Sequence, residues 1–230
     1  MFMSPDGPLR HPPQLGRRLR SVFEALLAAH GPQHWWPAET SFEVMLGAIL
    51  TQNTAWTNVE KALTRVGARV QLTPEALVGL PRLQLAELLR PVGYFNVKAE
   101  RVQRFCAELL AAGGEAALTR EDTPALRRRL LAMHGIGPET CDDMLLYAFE
   151  RPVFVVDAYT RRLFDRLGVL DGGAGYEAIR ALFEQVLGPD TTLFNEYHAL
   201  IVRHAKEICR SRRPNCAACV LSADCPASHR

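Results

Sequence analysis

The sequence predicts an all-α protein, and three observations carry that expectation. Apolar residues recur at helical spacing along most of the chain. Proline, glycine and short oxygen-bearing side chains punctuate it at intervals that mark about eleven helices with short connections. Only residues 153–156, an unbroken apolar run, read as a strand, and four residues cannot make a sheet. Taken in order, residues 1–14 are Pro-rich and predict a loose arm. Leu15, Leu19, Val22, Phe23, Leu26 and Leu27 then fall on one helical face. Ser41 is placed to cap a helix running to about Thr51, and another follows from about Ala55 to Gly67. Thr73-Pro74-Glu75 supplies a cap, a first-turn proline and an acid at a helix start. A short helix is expected over 83–90. Asn96 is placed to cap a long one over 97–112, stopped by Gly113-Gly114. Thr123-Pro124 opens the next, ending near Met133; Pro138 opens its successor, closed by Arg151-Pro152. Helices from about Asp157, Tyr176 and Thr192 complete the set.

Helices this short need tertiary packing to persist, so one or two compact helical bodies are implied. The 230 residues and 48% apolar content suffice for them. Net charge is only +2, too small to announce nucleic acid by itself. Of 27 basic residues, however, only Lys61, Lys98 and Lys206 are lysine. An arginine excess has two readings, the codon bias of a GC-rich genome or the bidentate grip of guanidinium on phosphate. No stretch reaches the roughly 20 apolar residues of a membrane span, and the N-terminus has no apolar signal core. A cytoplasmic, nucleoid-associated, monomeric protein is expected, whose six cysteines are not a disulfide framework.

Four of those cysteines, Cys209, Cys216, Cys219 and Cys225, lie in the last 22 residues at spacing C-x6-C-x2-C-x5-C. Four thiolates so close can wrap one tetrahedral centre, either Zn²⁺ or an iron–sulfur cluster. Only one pair is close, and the wider spans suit the separated corners of a cubane. Arg210, Arg212 and Arg213 between them form a basic rim, either a solvated loop or a phosphate contact.

MHGIGPETCDD, residues 133–143, puts two glycines and a helix-opening proline between two predicted helices. No strand precedes it and no Lys-Ser/Thr follows, so it is neither a dinucleotide loop nor a P-loop. Gly135 and Gly137 can both take positive φ and turn their amides outward. The stretch is thus either an ordinary tight turn or an anion site at a helix start. Downstream, VFVVDAYTRRLF delivers Asp157 to the start of a helix, as an N-cap or as a carboxylate at the edge of a cleft.

These residues together resemble the helix-hairpin-helix DNA glycosylases of the endonuclease III type. GIGPETCDDMLLYAFERPVFVVDAYT and the cysteine tail carry the likeness, with LGAILTQNT, VGYFNVKA and NEYHALIVRHAKEIC alongside, so it covers the chain from about residue 22. The resemblance implies two helical domains with double-stranded DNA in the cleft between them. One is a six-helix barrel over about 34–151, and the other joins 1–33 to 152–230 around a [4Fe–4S] cluster on the four cysteines. It implies that His134, Gly135 and Gly137 grip phosphates, with Arg212 as a further contact, and that Gln52 and Asn53 enter the gap left by an everted base. Asp157 is implied to stabilise positive charge on the sugar or orient the attacking water.

Two departures refine the implied activity. Bifunctional members of the family carry a lysine where this chain has Glu139, and glutamate cannot form an imine. A monofunctional, water-using glycosylase is therefore expected, with Glu139 near the base or simply on the surface. HWWPAETSFEVMLGAILTQNTAW is similar to the 3-methyladenine glycosylase branch. Trp35, Trp36 and Trp56 either form an electron-rich pocket for a cationic alkylated purine or pack the interior. The alternatives are endonuclease III activity on oxidised pyrimidines with strand cleavage, or a DNA-binding damage sensor that no longer cuts.

Overall fold

The computed structural model describes residues 12–170 and 172–229. Among them are twelve α-helices and no strand. They form two compact units, one from Trp36 to Arg151 and one from the described residues up to Trp35 together with those from Pro152 onward.

The Trp36–Arg151 unit holds α2 (Ser41–Leu50), α3 (Trp56–Gly67), α4 (Pro74–Gly79), α5 (Arg82–Leu88), α6 (Phe95–Ala111), α7 (Gly114–Thr119), α8 (Thr123–Ala132) and α9 (Pro138–Asp143). A π-helical turn, Met144–Ala148, continues α9. Every residue of α2 but Ser41 and Glu43 is buried, as expected of a helix apolar all round.

Several boundaries differ from expectation for identifiable reasons. Thr40, not Ser41, caps α2, its side chain accepting from the Glu43 amide at 3.2 Å. Helix α8 opens at Thr123 as expected, and Asp122 before it supplies the cap, accepting from the Ala125 amide at 2.7 Å. In each case two adjacent residues could cap, and the extended one does. Thr73 caps α4 as expected, through the Ala76 amide. Asn96 lies inside α6 rather than capping it: the helix starts two residues earlier than expected, after Tyr94, which sits at φ 44. Gly113, at φ 89, ends α6 and is followed at once by α7, which periodicity did not reveal.

The other unit holds α1 (Pro12–His30), α10 (Ala158–Arg166), α11 (Tyr176–Leu187) and α12 (Thr191–Glu207), then short 3-10 turns through the cysteine segment. Residues 12–14, expected in a loose arm, open α1; residues 1–11 of that arm lie outside the described residues. Residues 153–156 are extended and buried but have no partner strand. Their amides turn to side chains instead: Phe154 N–H donates to Glu184 Oε1 at 3.0 Å and Val156 N–H to the Tyr176 hydroxyl at 3.5 Å. The run is apolar because it threads an aromatic core. Phe154 stacks on Phe183 at 4.3 Å and meets Phe194 and Tyr197 edge-on.

Candidate nucleic-acid interface and active site

The hairpin between α8 and α9 is braced from within. Arg127 Nε and Nη2 bond the two oxygens of Asp142 at 2.7 and 3.1 Å. The carboxylate is fully buried, and the guanidinium side chain is 15% exposed. Gly135 takes φ 81, and a Cβ there would come within 3.0 Å of the Arg101 side chain. Gly137 does not share the left-handed conformation expected of it. It is extended, φ −91 and ψ 174, as the N-cap of α9, because a single left-handed residue already reverses the chain. Nothing in the chain lies within 4 Å of where a Cβ at Gly137 would stand. His134 is exposed, its amide donating to Glu108 Oε2 at 3.3 Å. Glu139 is exposed in the first turn of α9, where a negative charge suits the helix dipole.

Gln52 and Asn53, neighbours in sequence, have different surroundings. Asn53 is exposed at φ 55. Gln52 is half-buried, its Nε2 donating to Gly135 O at 3.1 Å and Thr140 Oγ1 at 3.0 Å, while Arg101 Nη1 donates to its Oε1 at 2.6 Å.

In the other unit, the buried run 153–156 delivers Asp157 to the N-cap of α10. Its Oδ1 accepts from the Thr160 amide at 2.7 Å, and its Oδ2 lies 3.6 Å from His198 Nε2 on α12. Burial works to raise the pKa of Asp157. Hydrogen bonding and charge from His198, with the Thr160 contacts, outweigh it, and the net shift is downward. Asp157 is therefore a carboxylate at neutral pH, 8% exposed. Two residues on, Tyr159 lines a concavity with Arg162, Lys206, Arg210, Arg212 and Arg213, so the start of α10 borders a basic surface.

The four cysteines line one cavity with the apolar side chains of Leu163, Leu167, Ile208 and Leu221. Among the described residues, no three His, Cys, Asp or Glu side chains converge as ligands of a metal ion. Burial pushes the Cys219 thiol up; the Leu221 amide pulls it down, and negative charge on Cys209, Cys225 and Cys216 pushes it up again. Positive charge among these sulfurs would relieve that repulsion at Cys219, which is what a bound metal centre supplies. Helix α10 ties this segment down. Arg166 Nη1 donates to Cys209 Sγ at 3.2 Å and Arg210 O at 2.8 Å, and Arg162 Nε donates to Cys209 O at 3.0 Å. His204 Nε2 lies 3.4 Å from Cys219 Sγ, and its Nδ1 lies 3.0 Å from His30 Nε2. Burial, with the nearby His30, pulls His204 down to about 4 against the opposing charge of Glu207.

Residues 46–189 match the family described as HhH-GPD superfamily base excision DNA repair protein. The chain belongs to the HhH-GPD superfamily. It is 44% identical over 207 residues to a candidate DNA repair glycosylase of Methanocaldococcus jannaschii, covering 89% of this chain and 94% of that protein. It is 30% identical to endonuclease III of Sulfolobus acidocaldarius, covering 80% and 81% of the two chains. The fold superposes on a non-covalent endonuclease III–DNA complex with a TM-score of 0.81 at 20% identity, covering 93% of this chain and 96% of that one. The Helicobacter pylori 3-methyladenine DNA glycosylase MagIII, solved bound to 1,N6-ethenoadenine, matches with a TM-score of 0.70 at 28% identity over 85% and 97%.

In this HhH-GPD protein Trp36 and Trp56 meet edge-to-face at 5.0 Å, with Tyr147 5.3 Å from Trp36. Both indoles pack over Gly47, where a Cβ would approach them within 3.1–3.3 Å. Trp35 belongs to the other unit and is half-buried. The lysines are accounted for. Lys61 is exposed on α3, and Lys206 stands 5.7 Å over the Tyr159 ring. Lys98 is 2% exposed, its ammonium donating to Leu50 O, Thr54 Oγ1 and Val92 O. Sequence reasoning passed over His198, Arg101, Arg127 and Asp142 as site residues. It also passed over Tyr94, which is 79% exposed with a left-handed backbone. A histidine on the buried face of α12, beside Tyr197 and Ile201, was the signal for His198.

Proposed function

We propose that this HhH-GPD protein is a monofunctional DNA glycosylase that everts a damaged base, favouring alkylated purines, and hydrolyses its N-glycosidic bond. The observation that carries the reading is Asp157, an ionised carboxylate at the start of α10 bordering a basic concavity. As the C1′–N bond breaks, the base leaves with the electron pair and the sugar gains oxocarbenium character. The carboxylate stabilises that charge. Water adds its oxygen to C1′ and gives up a proton, leaving an abasic sugar.

An alkylated purine is already cationic, departs as a neutral base and needs no amine nucleophile. Glu139 fits that chemistry, since a glutamate cannot form a Schiff base, and Lys98 is buried with three acceptors on its ammonium. The Trp36–Trp56–Tyr147 cluster supports the substrate class, as electron-rich rings favour cations by about 0.5–2 kcal/mol; Glu139 is proposed as a further contact of the base. The likeness to MagIII points the same way. His134, Gly135 and Gly137 would hold backbone phosphates without reading sequence, with Arg212 on the basic rim and Gln52 and Asn53 entering the gap left by the base. Cys209, Cys216, Cys219 and Cys225 would hold a [4Fe–4S] cluster, whose positive iron core offsets four thiolates and ties down the C-terminal segment.

The test is a panel of duplexes carrying methylated, oxidised, deaminated or abasic sites, with base release and strand nicking read separately. Release of 3-methyladenine without nicking, and no adduct trapped by borohydride, is expected. Excision of thymine glycol with alkylated DNA untouched would overturn the substrate class; a strong borohydride adduct would overturn the water mechanism.

A further inference from the structure

Trp56 is the first residue of α3, and its ring is held at both ends. At the benzo end its Cη2 abuts Gly47, where an added Cβ would approach it within 3.3 Å and meet Trp36 Cζ2 and Nε1 at 3.1 and 3.3 Å. Glycine weakens a helix interior. One in the middle of α2, among buried neighbours, marks a place where the two indoles need the room. At the pyrrole end, Trp56 Nε1–H donates to Glu60 Oε1 at 2.8 Å, one turn along α3. Residues four apart share a helix face, so α3 itself sets this contact. An indole has a single donor, and here it meets an anion, the stronger kind of acceptor. Trp36 stands edge-to-face to Trp56, with the planes at 88°, and Trp56 is half-buried. A carboxylate that accepts the N–H leaves electron density on the ring, and a ring attracts a cation through that density.

We propose that Glu60 is a specificity-determining residue: its carboxylate fixes the Trp56 indole and enriches its π face, so that the Trp36–Trp56–Tyr147 cluster selects a cationic base over a neutral one. This rests on the DNA glycosylase reading and adds the group that sets its preference. The Glu60 oxygen meets the indole N–H, so it acts on the base through Trp56 as a positioning residue. The sign of its effect is distinctive. A carboxylate beside bound DNA works against phosphate binding, so its removal for that reason alone would strengthen binding to any duplex. A loss confined to cationic bases runs the other way.

Glu60→Gln keeps an oxygen for the indole N–H and drops the charge, and Glu60→Leu drops both. Glu60 is exposed, so neither change disturbs the interior. Binding is read by quenching of tryptophan fluorescence with two isomeric nucleosides, 1-methyladenosine, a cation at neutral pH, and N6-methyladenosine, which is neutral. The unaltered protein is expected to prefer the cation, and both variants to lose about fivefold of that preference, within the range of a cation–π contact. Equal quenching by the two isomers in the unaltered protein, none by either, or a preference kept by Glu60→Gln overturns the proposal. The route through the ring is read in Trp56→Phe, which has no N–H to donate: adding Glu60→Gln to it is expected to cost nothing further, and an additive loss overturns the proposal. Single-turnover release of 3-methyladenine, set against neutral 1,N6-ethenoadenine, should show the same change of ratio. Release of alkylated purines at an unchanged ratio in Glu60→Gln would refute the role of Glu60 and leave the glycosylase reading standing. Glu60-dependent selective quenching with no base released from any lesion would count against the glycosylase chemistry and leave that role standing.

Discussion

Asp157 does two things that one pair of substitutions separates. Its Oδ1 caps α10 through the Thr160 amide at 2.7 Å, and its charge faces His198 through Oδ2 at 3.6 Å. Asparagine keeps an oxygen for the cap and gives up the charge; alanine gives up both. Loss of an N-cap costs about 1 kcal/mol, or about 2–4 °C in Tm for a chain of this size. Asp157→Asn should therefore melt near the unaltered protein, and Asp157→Ala lower by that amount. The catalytic loss should be the same in both. A unit charge about 4 Å from a developing cation, at an effective dielectric of about 20, is worth about 4 kcal/mol, or about a thousandfold in rate. Single-turnover base release on an alkylated duplex, beside binding to the same duplex and thermal melting by circular dichroism, measures all three quantities. Base release by Asp157→Asn within tenfold of the unaltered protein, with binding intact, would refute the reasoning. So would a loss of activity that merely tracked Tm. The pH dependence has a definite sign. Burial raises the Asp157 pKa, but the His198 and Thr160 contacts leave it below the usual carboxylate value. Its stabilising contribution is thus complete above about pH 4 and fades as pH falls through the depressed folded-state value. Asp157→Asn should lack that share of the acid loss.

The buried pair Arg127–Asp142 predicts an asymmetric stability result. Arg127→Met strands a carboxylate with no exposure and should cost about 3–5 kcal/mol in urea unfolding, whereas Arg127→Met/Asp142→Leu recovers most of it; additive losses would show that the pair does not brace the hairpin. Lys98 predicts a basic limb. Burial first, then the charge of Arg101, pulls it from 10.5 to about 8, so between those values the unfolded chain holds a proton that the folded one has released, and stability should rise with pH. Urea midpoints from pH 7.5 to 10 should show this rise in the unaltered protein and lose it in Lys98→Met.

What the sequence made legible is what one stretch of chain decides alone. Apolar spacing located the longer helices, and proline and capping signals located the six-residue α4 and α9; α7, six residues directly after Gly113, has neither signal. The 3-10 turns of the cysteine segment left no mark in the sequence reading, where ligand spacing spoke only to metal chemistry. Capping failed by one residue at Thr40, where it and Ser41 both carry suitable oxygens and only backbone conformation chooses between them. The run 153–156 misled differently: apolarity reports burial, and burial against aromatic rings looks the same in sequence as burial in a sheet.

The same limit divides the candidate site. Asp157 was readable because an apolar run ends on it and a helix begins after it, yet His198 beside it comes from another helix and leaves no mark near residue 157. Gln52 and Asn53 are the sharpest case, since sequence treats them as one polar pair. What separates them is the left-handed backbone of Asn53, which turns one side chain outward, and the arrival of Arg101 and Thr140 from distant positions, which hold the other. A residue's type states which bonds it can make. Which of those bonds it makes is decided elsewhere in the chain, and for Gln52 the deciding partners are Arg101, Gly135 and Thr140.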